Sequence, residues 1–137
     1  EIGVRLVGSE MCIRDSSGIG WALKDAGSDA KTIAVEPAES ALVTSGQAGP
    51  HKIQGIGANF VPKNLDRSVI SEIRTVKGQD AIDTTKRLAR EEGIFAGISA
   101  GANVFMALEV AKENPGKKIV AILPDGGDKY VSMGIFD

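Results

Sequence analysis

Short apolar runs alternate with helical patterns from residue 18 to residue 123, and this alternation restricts the possible folds more than any other property of the chain. Residues 32–35, 94–96 and 119–123 are β-branched or apolar, and residues 72–76, Glu-Ile-Arg-Thr-Val, also read as a strand. Three helical patterns alternate with them. Residues 18–26 carry Ile19, Ala22, Leu23 and Ala26 at helical spacing; residues 80–92 carry Ala81, Ile82, Thr85, Leu88 and Ala89 on one face. Residues 99–114 are apolar on most sides, which suits the most buried helix. Gly27, Gly93 and Pro115-Gly116 are the stops. Residues 39–43 read as a helical turn closed by Gly46, and residues 47–62 as a glycine-rich loop. Strands joined through helices run parallel, so the expected fold is α/β, a three-layer, mostly parallel sheet with helices on both faces.

The chain has 137 residues, 42% hydrophobic and 25% charged, enough for one domain or part of a larger one. A net charge of -2 gives no basic face for a nucleic acid. No apolar run approaches a membrane span, and no signal-peptide pattern is present, so neither a nucleic-acid nor a membrane partner is expected. The single cysteine, Cys12, excludes a disulfide within the chain. With one histidine beside it, no metal site is expected.

Residues 1–16 read differently from the rest. They show no clear periodicity and no turn logic. Residues 6–15 resemble a translated transposase adaptor from DNA library preparation: Glu10-Met11-Cys12-Ile13-Arg14-Asp15 reads back as GAG ATG TGT ATA AGA GAC. Residues 5–9 fit the flanking primer, and residues 1–4 leave room for a sample barcode. The segment is therefore expected to be non-native, Cys12 included, and carries no expectation about the fold. Residues 17–137 are the natural chain on this reading.

The chemistry-bearing residues cluster around Gly97-Ile98-Ser99-Ala100-Gly101. A strand, a glycine turn and a helix in that order put a hydroxyl and free backbone N–H groups at the carboxyl end of a sheet. The Gly-x-Ser-x-Gly pattern also fits a serine hydrolase with Ser99 as nucleophile. That reading needs a histidine later in the chain, and the only one, His51, comes earlier. Ser99 also suits a simple helix N-cap. Gly18-x-Gly20 lacks the third glycine of a dinucleotide fingerprint, since Leu23 holds its place. His51-Lys52 reads as a solvated loop pair. Gln54-Gly55-Ile56-Gly57-Ala58 suits close backbone approach to a ligand, or a moving flap. Asp125 and Asp128 flank two glycines after a strand, which fits a site and a turn equally well.

Taken together, several segments resemble the cysteine synthase (O-acetylserine sulfhydrylase) family, of the tryptophan-synthase β-like, fold type II pyridoxal-phosphate enzymes. They are Val35-Glu36-Pro37-Ala38, Gly49-Pro50-His51-Lys52-Ile53-Gln54-Gly55-Ile56-Gly57-Ala58, Phe60-Val61-Pro62-Lys63-Asn64-Leu65-Asp66, Glu91-Glu92-Gly93-Ile94, Gly97-Ile98-Ser99-Ala100-Gly101-Ala102 and Tyr130-Val131-Ser132. Order and spacing fit from about residue 17 onward. The resemblance implies the carboxyl-side part of a cofactor domain, incomplete here. It implies pyridoxal 5'-phosphate as cofactor, with the Ser99 hydroxyl donated to its ring nitrogen. Gln54, Gly55, Ile56 and Gly57 would line the amino-acid pocket, and Pro124 and Asp125 would lie near the ring edge. It further implies a cytoplasmic enzyme forming L-cysteine from O-acetylserine and sulfide, a homodimer able to receive the C-terminal tail of serine acetyltransferase. A cystathionine β-synthase-like or phosphoserine-using relative fits the same segments.

The departures are as informative. The family's Schiff-base lysine lies in the N-terminal half and matches no lysine here, so no catalytic residue is assigned. The glycine-rich phosphate cup should fall at residues 11–15, where Met-Cys-Ile-Arg-Asp stands. The chain alone is therefore expected to be inactive, or a self-associating half-domain with open sheet edges.

Overall fold

The computed structural model describes residues 4–9, 13–57, 60–61 and 65–137. In chain order the elements are β1 (Val4–Ser9), α1 (Ile13–Asp25), β2 (Lys31–Pro37), α2 (Leu42–Ser45), β3 (Glu72–Val76), α3 (Gly78–Glu91), α4 (Ile98–Glu113) and β4 (Lys118–Ala121). Short 3-10 turns cover Ala38–Ser40, Arg67–Val69 and Gly127–Met133.

The strands form one sheet in the order β3-β2-β1-β4. Every pairing is parallel, with Ile33 opposite Glu72, Leu6 opposite Thr32, and Arg5 opposite Ile119. β2 is buried at every residue from Thr32 to Pro37, the pattern of a strand covered on both faces. Its β-branched residues Ile33 and Val35 join Ile53, Ile56, Val76, Ile98, Met106 and Val110 in the core. The three-layer α/β expectation therefore holds, and the spans around residues 72–76, 80–92 and 99–114 fall within a residue or two of β3, α3 and α4.

Two expectations need correction. α1 begins at Ile13 rather than at residue 18, and before it β1 occupies a central place between β2 and β4. The second concerns residues 94–96, which do not form a strand. Only Ala96 pairs, in a single antiparallel bridge with Gly126, and Ile94 and Phe95 are 42% and 49% exposed. The cause is the direct packing of α3 on α4. The link between them has only to cross one helix diameter, about 10 Å, and so never re-enters the sheet.

That link is nevertheless stitched to the segment after β4. The Gly97 N–H donates to the Asp125 carbonyl at 3.0 Å, and the Gly127 N–H donates to the Phe95 carbonyl at 3.1 Å. These two bonds carry the start of α4 to the carboxyl edge of the sheet without a preceding strand. Among the described residues β3 and β4 each have one strand neighbour, and Val120 and Leu123 are 44% and 40% exposed at the β4 side. No helix of the described residues is long and apolar enough to cross a membrane.

Candidate active site

Because all four strands are parallel, their carboxyl ends share one edge. The chain leaves β1 toward β2 and β3 on one side and returns as β4 on the other, so the order reverses between β1 and β4. Open α/β sheets bind ligands at such a reversal. The candidate residues gather beside it.

Ser99 is the second residue of α4 and only 2% exposed. The N-cap is Gly97, so Ser99 is not a cap. Its Oγ donates instead to Asp125 Oδ1 at 3.2 Å. Tyr130 closes the cluster, its hydroxyl donating to Asp125 Oδ2 at 2.6 Å. Asp125 thus accepts three hydrogen bonds, two on its carboxylate and one on its carbonyl from Gly97. Burial, and then the hydrogen bond and charge of Asp125, push the Tyr130 phenol up to about 12. The positive end of α4 favours a carboxylate at this position.

Two local features make the cluster possible. At Gly97 a Cβ would strike the Asp125 carboxylate and the Tyr130 ring, so only glycine lets these groups approach. One turn along α4 from Ser99, fully buried Asn103 donates from Nδ2 to the Ile122 carbonyl at 2.7 Å. That bond ties the helix bearing Ser99 to the end of β4, and so to the Pro124-Asp125 segment. Pro124 itself is exposed.

The glycine-rich loop covers the neighbouring part of the same edge. Gly57 abuts Pro37 at the end of β2, and Gly78, at the start of α3 after β3, abuts Lys52. Ile53 and Ile56 are buried in the core, whereas Gln54 and Gly55 are exposed. Of the four loop residues expected at a pocket, Gln54 and Gly55 form the accessible tip; Ile56 and Gly57 are its footing. Glu36, fully buried at the end of β2, accepts from the Val43 and Thr44 N–H groups at 3.0 and 2.9 Å. Burial pushes its carboxyl up, against the lowering effect of those two donors.

His51 does not reach Ser99; its Nε2 bonds the Gly57 carbonyl at 3.1 Å. The serine hydrolase reading therefore lacks a base at Ser99, as well as the strand that a nucleophile elbow needs. Tyr130 and Asn103 are members of the site that sequence reasoning passes over. Their signals are a lone tyrosine shortly after Asp125 and an asparagine one turn after Ser99 on an otherwise apolar helix face. The position expected for a phosphate cup falls partly on residues 11 and 12, outside the described residues.

Comparison with known proteins fits this arrangement. Residues 15–125 match the family described as pyridoxal-phosphate dependent enzymes. The chain is 48% identical over 122 residues to O-ureido-L-serine synthase of Streptomyces lavendulae, covering 88% of this chain and 38% of that protein. It is 48% identical over 120 residues to cysteine synthase B of Campylobacter jejuni, covering 88% of this chain and 40% of that protein. Among solved structures, O-acetylserine sulfhydrylase isoform 3 from Entamoeba histolytica superposes with a TM-score of 0.91 at 38% identity, over 99% of this chain and 41% of that one. The chain thus spans about two-fifths of the length of these relatives. With a family match over most of its length and the same fold at its carboxyl edge, the chain belongs to the pyridoxal-phosphate-dependent enzymes, on the fold type II scaffold of the cysteine synthases.

Proposed function

We propose that residues 17–137 are the carboxyl-side part of the cofactor domain of an enzyme that makes L-cysteine from O-acetylserine and sulfide. Residues 1–16 are a non-native segment lying where the parent enzyme has its own strand and phosphate-gripping turn. The observation that carries the reading is the buried Ser99–Asp125–Tyr130 cluster at the carboxyl edge, in a chain 48% identical to a cysteine synthase.

Bound pyridoxal phosphate supplies an electron sink that lets a leaving group depart from the β-carbon of an amino acid and a nucleophile replace it. Ser99 is the neutral partner of the ring nitrogen. Its hydroxyl has one proton, donated to Asp125 in this arrangement, and would have to leave Asp125 to be donated to a bound ring. With no cofactor bound, Asp125 holds that hydroxyl, and Tyr130 fixes Asp125. Gln54, Gly55, Ile56 and Gly57 form the wall of the amino-acid pocket, and Pro124 lies by the ring edge. The same reading makes the parent a cytoplasmic homodimer open to the serine acetyltransferase tail.

The residues present fit the ring end of the cofactor and not the phosphate end. Residues 10–15 contain no glycine to turn N–H groups inward, and no lysine here matches the one that carries the cofactor. The 137-residue polypeptide therefore holds no cofactor covalently. Titrating it with pyridoxal phosphate is expected to leave the spectrum of the free compound, with nothing retained after gel filtration. A retained visible absorbance band would overturn this. Equal identity to a protein named O-ureido-L-serine synthase favours a second reading, in which the parent joins a different nucleophile to the same three-carbon unit.

A further inference from the structure

His51 is half-buried rather than a solvated loop residue. It lies over Gly57 and close to Pro37: a Cβ on Gly57 would meet His51 Nε2 and Cε1 and the Pro37 Cγ. Its Nε2 is 3.1 Å from the Gly57 carbonyl oxygen. A carbonyl only accepts, so Nε2 carries the proton and the ring is the Nε2–H tautomer. The other nitrogen, Nδ1, is buried and has no hydrogen-bond partner among the described residues. A buried acceptor left unpaired is costly, and a histidine kept at that cost needs a compensating purpose.

The geometry of residues 51–57 supplies one. Ile53 and Ile56 are sunk in the core, and Gly55 and Gly57 adopt φ values of 91° and 72°. Only the Gln54-Gly55 tip is left outside. The two isoleucines fix the depth of this loop but not its closure, because the backbone turns through left-handed glycines beside Ile56. The bond from His51 to Gly57 joins the two ends.

We propose that His51 is a positioning residue that latches the Gln54–Gly57 loop shut through its Nε2–H, holding the tip over the carboxyl edge of the sheet. Its functional meaning rests on the reading of that loop as the amino-acid wall, but the latch can be tested without any cofactor. Lys52 is exposed and Ile53 is fully buried, so trypsin cuts the Lys52–Ile53 bond only when the loop lifts. Cleavage after Lys117, at the amino end of β4 and so at the opposite edge of the sheet, is the internal control.

His51→Phe keeps a ring over Gly57 and Pro37 but removes the donor. His51→Gln keeps a donor near the position of Nε2. The expected result is cleavage at Lys52 about tenfold faster in His51→Phe, near its original rate in His51→Gln, and unchanged after Lys117 in both. The latch is overturned if His51→Phe is cut at Lys52 no faster than the parent chain. It is equally overturned if His51→Gln behaves like His51→Phe, or if both sites accelerate together, which would mark a residue serving overall stability alone.

Discussion

Gly101→Ala is expected to destabilise the chain by about 2 kcal/mol, although alanine is the better helix former by ~1 kcal/mol. The cause lies in the approach of α4 to α3. A Cβ on Gly101 would collide with Thr85 Oγ1, with the Ala81 carbonyl oxygen and with the Thr85 N. Two of these are backbone atoms of a helix and cannot rotate away. The third is held, since Thr85 Oγ1 donates to Ala81 O at 2.9 Å and lies 3.3 Å from Gly97 O. The helices must therefore separate, and the Ala81, Ala102 and Ile98 contacts of the core loosen with them. Gly18→Ala is the matched control. That glycine is an exposed residue inside α1, and a Cβ added there would meet nothing within 4 Å, so the change should stabilise by ~0.5–1 kcal/mol. Urea unfolding midpoints for the two variants should move in opposite directions. A Gly101→Ala chain as stable as its parent would mean that α3 and α4 do not pack at this distance.

The elements that read true from the sequence are those whose local pattern and tertiary setting agree. Residues 80–92 carry one apolar face and a glycine stop, and α3 buries Ala81, Thr84, Thr85 and Leu88 on that face. β3 coincides with residues 72–76 for a similar reason. Residues 94–96 mislead because three apolar residues look alike in a strand and in a link pressed between helices. β1 has a legible apolar content in Val4, Leu6 and Val7, but the adaptor-like codons of its segment argue against using it. At the site, Ser99 is visible from its glycines and Asp125 from its place after a strand. Their partnership is not, because it depends on the Gly97–Asp125 and Phe95–Gly127 backbone bonds across the molecule. Tyr130 and Asn103 escape for the same reason: their contacts, with Asp125 and with the Ile122 carbonyl, are formed by the fold and marked by no motif.

The second large effect is spectroscopic. Tyr130 is the only tyrosine in the chain, so its ionisation can be followed by ultraviolet absorbance with no overlapping phenol. The midpoint is expected at about 12, raised by burial and by the Asp125 carboxylate, against an ordinary value of about 10. Asp125→Asn removes the charge and keeps the shape, so the midpoint should fall by the share that Asp125 supplies, while the larger share due to burial remains. The sign for stability follows from linkage. A phenol raised in the folded state contributes stability that is full below about pH 10 and lost as the pH rises through about 12. Unfolding at alkaline pH should therefore be steeper in the parent chain than in Asp125→Asn across that window. An unchanged midpoint in the variant would remove Asp125 as the partner of Tyr130, and with it the fixed orientation of Ser99.

The central claim is the proposed one, that residues 17–137 belong to the carboxyl-side part of the cofactor domain of a cysteine-forming enzyme. The most direct test joins these residues to the part of Campylobacter jejuni cysteine synthase B that precedes its matched region, in place of residues 1–16. The joined protein is to be supplied with pyridoxal phosphate, O-acetylserine and sulfide, and L-cysteine measured. The account predicts a protein that retains the cofactor through gel filtration and forms L-cysteine, with Ser99→Ala altering the absorbance of the bound cofactor. A joined protein that folds and retains the cofactor but forms no L-cysteine would contradict it.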